Sequence, residues 1–131
     1  MSAAALSAYR QNSIDTASPS RLIVMLYDGL ISSIDKATAA LATSPADIEL
    51  VHNELTRCQD IVIELMQSLN HDAGEMAVRL ATLYEYCHHQ LVRANASKDT
   101  SHAAPVRSIF VDLRDAWTEI TGSGSVDRVS A

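Results

Sequence analysis

The residues best suited to chemistry in this chain are carboxylates and histidines at metal-ligand spacing. Glu49 and His52 form one Glu-x-x-His pair, and Glu85 and His88 form a second. Di-iron carboxylate bundles carry such a motif on each of two helices, with one further Glu from each of the other two. The surrounding apolar pattern decides where these groups point. With the apolar seam labelled a and d, Glu49 and Glu85 fall at b and His52 and His88 at e, turned away from a bundle interior. In an antiparallel hairpin turning near Asp72, His52 comes level with Val92, about one turn (~6 Å) from His88. The other helices offer no inward Glu. A di-iron protein using Glu49, His52, Glu85 and His88 is therefore the disfavoured alternative. His88 and His89 are helix neighbours that point in different directions, so they do not chelate one ion. Cys58 and Cys87 form no CxxC and no metal-like cluster, and read as two buried free thiols in a reducing cytosol. There is no nucleophile elbow and no glycine-rich phosphate loop. The reading is a protein that is not an enzyme and holds no cofactor or metal.

The elements that would position these groups are helices. Of 131 residues, 47% are apolar and only four Gly and three Pro interrupt the chain, which favours an all-α protein. A first helix is predicted from about Pro19 to Leu41, with Ser18 as cap and Pro19 at the first helical position. Ile23, Tyr27, Leu30, Ile34, Ala37 and Leu41 share one face, while Leu22, Val24, Met25, Leu26 and Ile31 lie off it, so this helix needs cover on several sides. Gly29 sits mid-helix at a cost of about 1 kcal/mol relative to Ala, which implies that something approaches the backbone there.

Ser44 as cap, Pro45 as first residue and Asp47 at the third position predict the second start. Ile48, Val51, Leu55, Cys58, Val62, Leu65 and Leu69 then alternate spacings of three and four, a heptad seam ending near Asn70. A third helix carries Ala77, Leu80, Tyr84, Cys87, Leu91 and Ala94, closed by Asn95 as C-terminal cap. A fourth, capped by Thr100 or Ser101 and beginning at Ala103 or Ala104, presents Val106, Ile109, Phe110, Leu113, Ala116, Trp117 and Ile120. The expected architecture is an antiparallel four-helix bundle over residues 17–121. A short, partly helical N-terminal arm (1–16), able to act as a lid, precedes it, and a flexible tail (122–131) follows.

Ten Lys and Arg against sixteen Asp and Glu leave a net charge of -6, without the basic run that nucleic acid or anionic lipid would require. No segment is apolar for long enough to cross a bilayer, and the first residues lack a charged n-region, so neither membrane insertion nor a secretory signal is expected. What remains unusual is an apolar surplus. Beyond the seams stand Leu22, Val24, Met25, Leu26, Ile31, Leu50, Ile61, Ile63, Met66, Val78, Leu83, Tyr86 and Val92. Such a surplus suits a groove for an amphipathic partner segment, or a homodimer formed through the same face.

At this point the chain resembles the flagellar export chaperone family FliS. Tyr9 and Asn12 in the arm are followed by Ala17-Ser18-Pro19 and Met25-Leu26-Tyr27-Asp28-Gly29. Ile61, Glu64-Leu65 and Leu69-Asn70 match a second-helix signature. Leu83-Tyr84-Glu85-Tyr86, Leu91, Ala94-Asn95 and Asp99 match a third, and Asp112-Leu113-Arg114-Asp115-Ala116-Trp117 a fourth. The likeness runs from about residue 8 to residue 120; Ser20 departs from it, standing where the family often has Gly. The resemblance implies a cytosolic chaperone that binds the C-terminal segment of flagellin, prevents its premature polymerisation and presents it to the flagellar type III export gate. It further implies client-binding roles for Leu6, Tyr9, Asn12, Leu22, Met25, Leu26, Asp28, Gly29, Ile61, Leu65, Tyr86, Val92 and Asn95. Leu6 and Tyr9 would form the displaceable lid, and Tyr27 and Trp117 would be core pillars.

Overall fold

Each helix buries the stripe that its sequence period dictates, and the stripes meet in one core. The computed structural model describes residues 19–123 and contains α1 (Pro19–Ala42), α2 (Ile48–Gln67), α3 (Glu75–Ser97) and α4 (Ala104–Ser123). Among the described residues there is no strand, and two 3-10 turns, His71–Ala73 and Thr100–His102, join α2 to α3 and α3 to α4. The expected cap Ser18 and the whole N-terminal arm lie outside the described residues, as does the tail from residue 124.

The second, third and fourth starts differ in detail from the sequence expectation. Ser44 and Pro45 belong to the turn before α2, joined by a cis peptide bond. Asp47 is the cap, because its carboxylate accepts the Leu50 N–H at 3.1 Å and satisfies one free donor of the first turn. Asn95 does not end α3. The helix continues to Ser97 and closes on Lys98 in the left-handed region (φ 53, ψ 44), whose N–H bonds the Ala94 carbonyl. In place of Thr100 or Ser101, Asp99 caps the turn into α4 by accepting the Ser101 N–H at 3.0 Å. Gly74, at φ 88, opens α3 in a conformation that a side chain would strain.

α1 is the central helix, packed along α2 on one side and α4 on the other. α3 packs on α2, and α3 and α4 make little direct contact. The core holds Tyr27, Leu30, Ile34 and Ala37 from α1, and Val51, Leu55, Cys58, Val62 and Leu65 from α2. α3 adds Tyr84, Cys87, Leu91 and Ala94, and α4 adds Val106 and Phe110. Ile48, though on the α2 seam, is exposed at the helix start, and Leu69 is only partly buried beyond the helix end. Ile31 and Ile61, off the seams, are buried as well.

Three rings join the helices that otherwise touch least. Phe110 meets Tyr27 edge-on (centroids 5.3 Å apart) and stacks on Tyr84 (6.1 Å), and the Tyr27 and Tyr84 hydroxyls share a buried hydrogen bond of 2.6 Å. Tyr27 is therefore the core pillar that the sequence pattern indicates, whereas Trp117 is only partly buried against the core.

Phe110→Ala should cost about 3–5 kcal/mol, read as a lower denaturation midpoint in urea, because one truncation removes both ring contacts and leaves a cavity. Burial pushes the Tyr27 hydroxyl up, its hydrogen bonds offsetting only part of the effect, and burial beside Tyr27 pushes Tyr84 up further. Both groups thus ionise more readily in the unfolded chain. Stability they contribute is fully present below about pH 10, where unfolded tyrosine titrates, and is lost as pH rises above it. The thermal midpoint should fall above that pH in the parent chain and fall less steeply in Tyr84→Phe; equal slopes would show that the pair does not govern alkaline unfolding.

Candidate functional site

The residues singled out by sequence lie on two faces. On the first, Gly29 of α1 is met by Ile61 of α2: a Cβ built on Gly29 would lie 3.7 Å from Ile61 Cδ1, ordinary van der Waals contact. The expected close approach is therefore a side chain, and it leaves room for a methyl group. Leu22 and Met25, two turns and one turn before Gly29, are partly buried. Leu26, Ile61 and Leu65 are core residues, exposed by 4% or less, and can touch a partner only if the core opens. Asp28 is exposed and accepts from Arg114 at 3.2 Å.

The second face belongs to α3. Tyr86 and Val92 are exposed by 46% and 39%, and the Gln90 amide donates to the Tyr86 hydroxyl. Asn95 turns toward α2, donating to Thr56 (3.2 Å) and Gln59 (2.9 Å). Beside it His52, Gln59, Val92, Asn95, Ala96 and Lys98 line an open pocket of about 270 Å³. His52 and Val92 are thus level, as the hairpin register requires. Leu6, Tyr9 and Asn12 lie outside the described residues.

The contact edges of α3 and α4 define a third surface that the sequence pattern assigned to the core. Arg107 forks onto Asp35 (2.7 and 3.0 Å) and Arg114 reaches Asp28, which fixes the edge of α4 that faces α1. The Arg107 guanidinium holds the Asp35 carboxyl below the usual carboxylate range. Such exposed pairs set orientation more than stability. At 3.6 residues per turn the opposite edge of α4 carries Ile109, Leu113, Ala116 and Ile120, toward α3. Likewise Asn95 fixes the α2-facing edge of α3, and its other edge carries Met76, Leu80 and Leu83, with Tyr86 further out. Met76 (68% exposed), Ile120 (43%), and the partly buried Leu80, Leu83, Ile109 and Leu113 therefore flank the sparsely packed α3–α4 seam. The available sequence signal was Leu83 beside the α3 seam together with an α4 stripe too wide for one neighbour.

The carboxylate–histidine pairs do not converge. Glu49, His52 and Glu85 are exposed and His88 is partly so, and no group of three or more possible metal ligands occurs among the described residues. Both thiols are buried and free, and burial pushes Cys87 up to about 12, far from a reactive thiolate. No helix of the described residues is long and apolar enough to cross a membrane.

The family Flagellar protein FliS matches this chain over residues 1–124. The flagellar secretion chaperone FliS of Bacillus subtilis (strain 168) is 36% identical over 121 residues, covering 92% of this chain and 89% of that protein. The flagellar secretion chaperone FliS of Vibrio cholerae is 30% identical over 120 residues (88% and 87%). That of Salmonella typhimurium is 30% identical over 129 residues (94% of each). The family match runs the length of all four helices, and the chain belongs to the FliS family, whose members are flagellar secretion chaperones rather than enzymes.

Proposed function

We propose that this chain binds the C-terminal segment of flagellin in the cytosol, keeps it from polymerising and carries it to the flagellar type III export gate. The observation that carries the reading is the sparsely packed α3–α4 seam flanked by apolar side chains. A four-helix bundle that needed only its own core would close that seam. An amphipathic client helix laid along it would bury Met76, Leu80, Leu83, Ile109, Leu113 and Ile120, with alternate turns supplying the apolar contacts. Tyr86 and Val92 extend the contact across α3, and Leu22, Met25 and Gly29 offer a second strip where an extended client could cross α1 and α2. Asn95, already held by Thr56 and Gln59, would add a polar contact on the Val92 side of α3. Residues 1–16 serve as a lid in this reading, with Leu6 and Tyr9 covering apolar surface until the client displaces them, and residues 17–121 are the chaperone body. A homodimer without client would use the same surplus.

Calorimetric titration with the flagellin C-terminal segment should give one-to-one binding with a large negative heat-capacity change. The double variant Met76→Asp/Tyr86→Asp, altered only at exposed positions, should stay folded and lose about tenfold or more in affinity, whereas Leu50→Asp should bind as the parent does. Equal affinity of all three proteins would move the client off α3. Deleting residues 1–15 should speed association if the arm competes with the client. Unchanged rate and affinity would leave the arm without a lid role.

A further inference from the structure

The α2–α3 pocket at the far end of the bundle contains a cation that meets no carboxylate among the described residues. Lys98 Nζ donates to the Asn95 carbonyl (2.5 Å) and the Asn95 side-chain oxygen (2.6 Å), and lies 3.4 Å from His52 Nδ1. None of the three is a carboxylate, although the chain carries an excess of carboxylates. Lys98 is also the one non-glycine described residue in the left-handed region, at a C-cap where glycine is the usual occupant. The chain thus places a long cationic side chain where a residue without one would fit the backbone better.

The rest of the pocket is suited to a small amphiphilic group. Val92 and Ala96, one turn apart on α3, form an apolar wall, and Val92 is 39% exposed. Opposite them stand His52 and Gln59. Gln59 accepts from Asn95 with its side-chain oxygen, which leaves its NH₂ available as a donor in the pocket lining. The geometry points to a site for the terminal residue of a peptide: its α-carboxylate on Lys98, the Gln59 NH₂ and His52, its side chain on Val92 and Ala96. The weakest of the three Lys98 contacts, to His52, is the one that the carboxylate replaces, and the imidazole then turns its N–H to the ligand. A side-chain carboxylate fits less well, because the helix or strand bearing it continues in both directions past a pocket of only about 270 Å³. A chain end carries carboxylate and side chain on one carbon and leaves in one direction.

This inference rests on the flagellin reading above and names which atom group of the client this pocket takes. The test is titration of the full chain with the flagellin C-terminal segment as its free acid and as its C-terminal amide, repeated with Lys98→Met. The free acid should bind the parent protein about tenfold more tightly than the amide, as expected for loss of one charge-assisted contact, and Lys98→Met should abolish that ratio. Gln59→Leu, which leaves the C-cap backbone untouched, should reduce the ratio, and circular dichroism of each variant checks the fold. If acid and amide bind the parent protein equally, the pocket does not take the chain end although the client reading stands. Lys98→Met weakening both peptides alike would likewise remove the chain end from the pocket. If neither peptide binds, the client reading fails and the pocket assignment fails with it.

Discussion

Phe110 does for α3 and α4 what the rest of their length does not. Two helices that hardly touch along their backbones are held at one level by a ring stacked on Tyr84 and set edge-on to Tyr27. The phenol–phenol hydrogen bond closes the triangle and gives each of the two buried hydroxyls a partner. Because the junction fixes the spacing of α3 and α4 at its own level, the seam can stay underfilled elsewhere without the bundle collapsing onto it.

The bundle and its registers were legible because periodicity reports burial directly. The unbroken spacing from Val51 to Leu65 maps onto fully buried α2 positions, and His52 falls level with Val92 as hairpin geometry demands. Caps were less legible, since several residues near each end have a suitable side chain. Ser44, Asp47 and Asp99 are all competent acceptors, and only the backbone path decides which one reaches a free N–H. Asn95 reads as a helix end on type alone, but its amide faces Thr56 and Gln59 and is spent across the interface.

The surface was the least legible part. Leu26, Ile61 and Leu65 look like apolar surplus or seam in one dimension, yet α1 and α2 enclose all three. Ile109, Leu113 and Ile120 look like core, yet their neighbour is too distant to cover them fully. Periodicity tells which side of a helix is apolar; it does not tell whether another helix stands there. Ser33 Oγ, Glu54 Oε1 and Arg57 Nε are buried without a partner, so the α1 and α2 helices carry polar cost as well as apolar contact.

The order of the helices in the chain has a kinetic side. α1 with α2, and α2 with α3, are sequence neighbours, so their pairing closes only short loops. Among the described residues the one extensive contact between distant segments is α4 on α1, guided by Arg107 to Asp35 and Arg114 to Asp28. A three-helix unit can therefore assemble locally while the last helix is still being sought, and docking α4 completes the aromatic junction in the same event. The α3–α4 seam proposed to receive the client comes into being only at that final step, which in that reading ties readiness to bind to completion of folding.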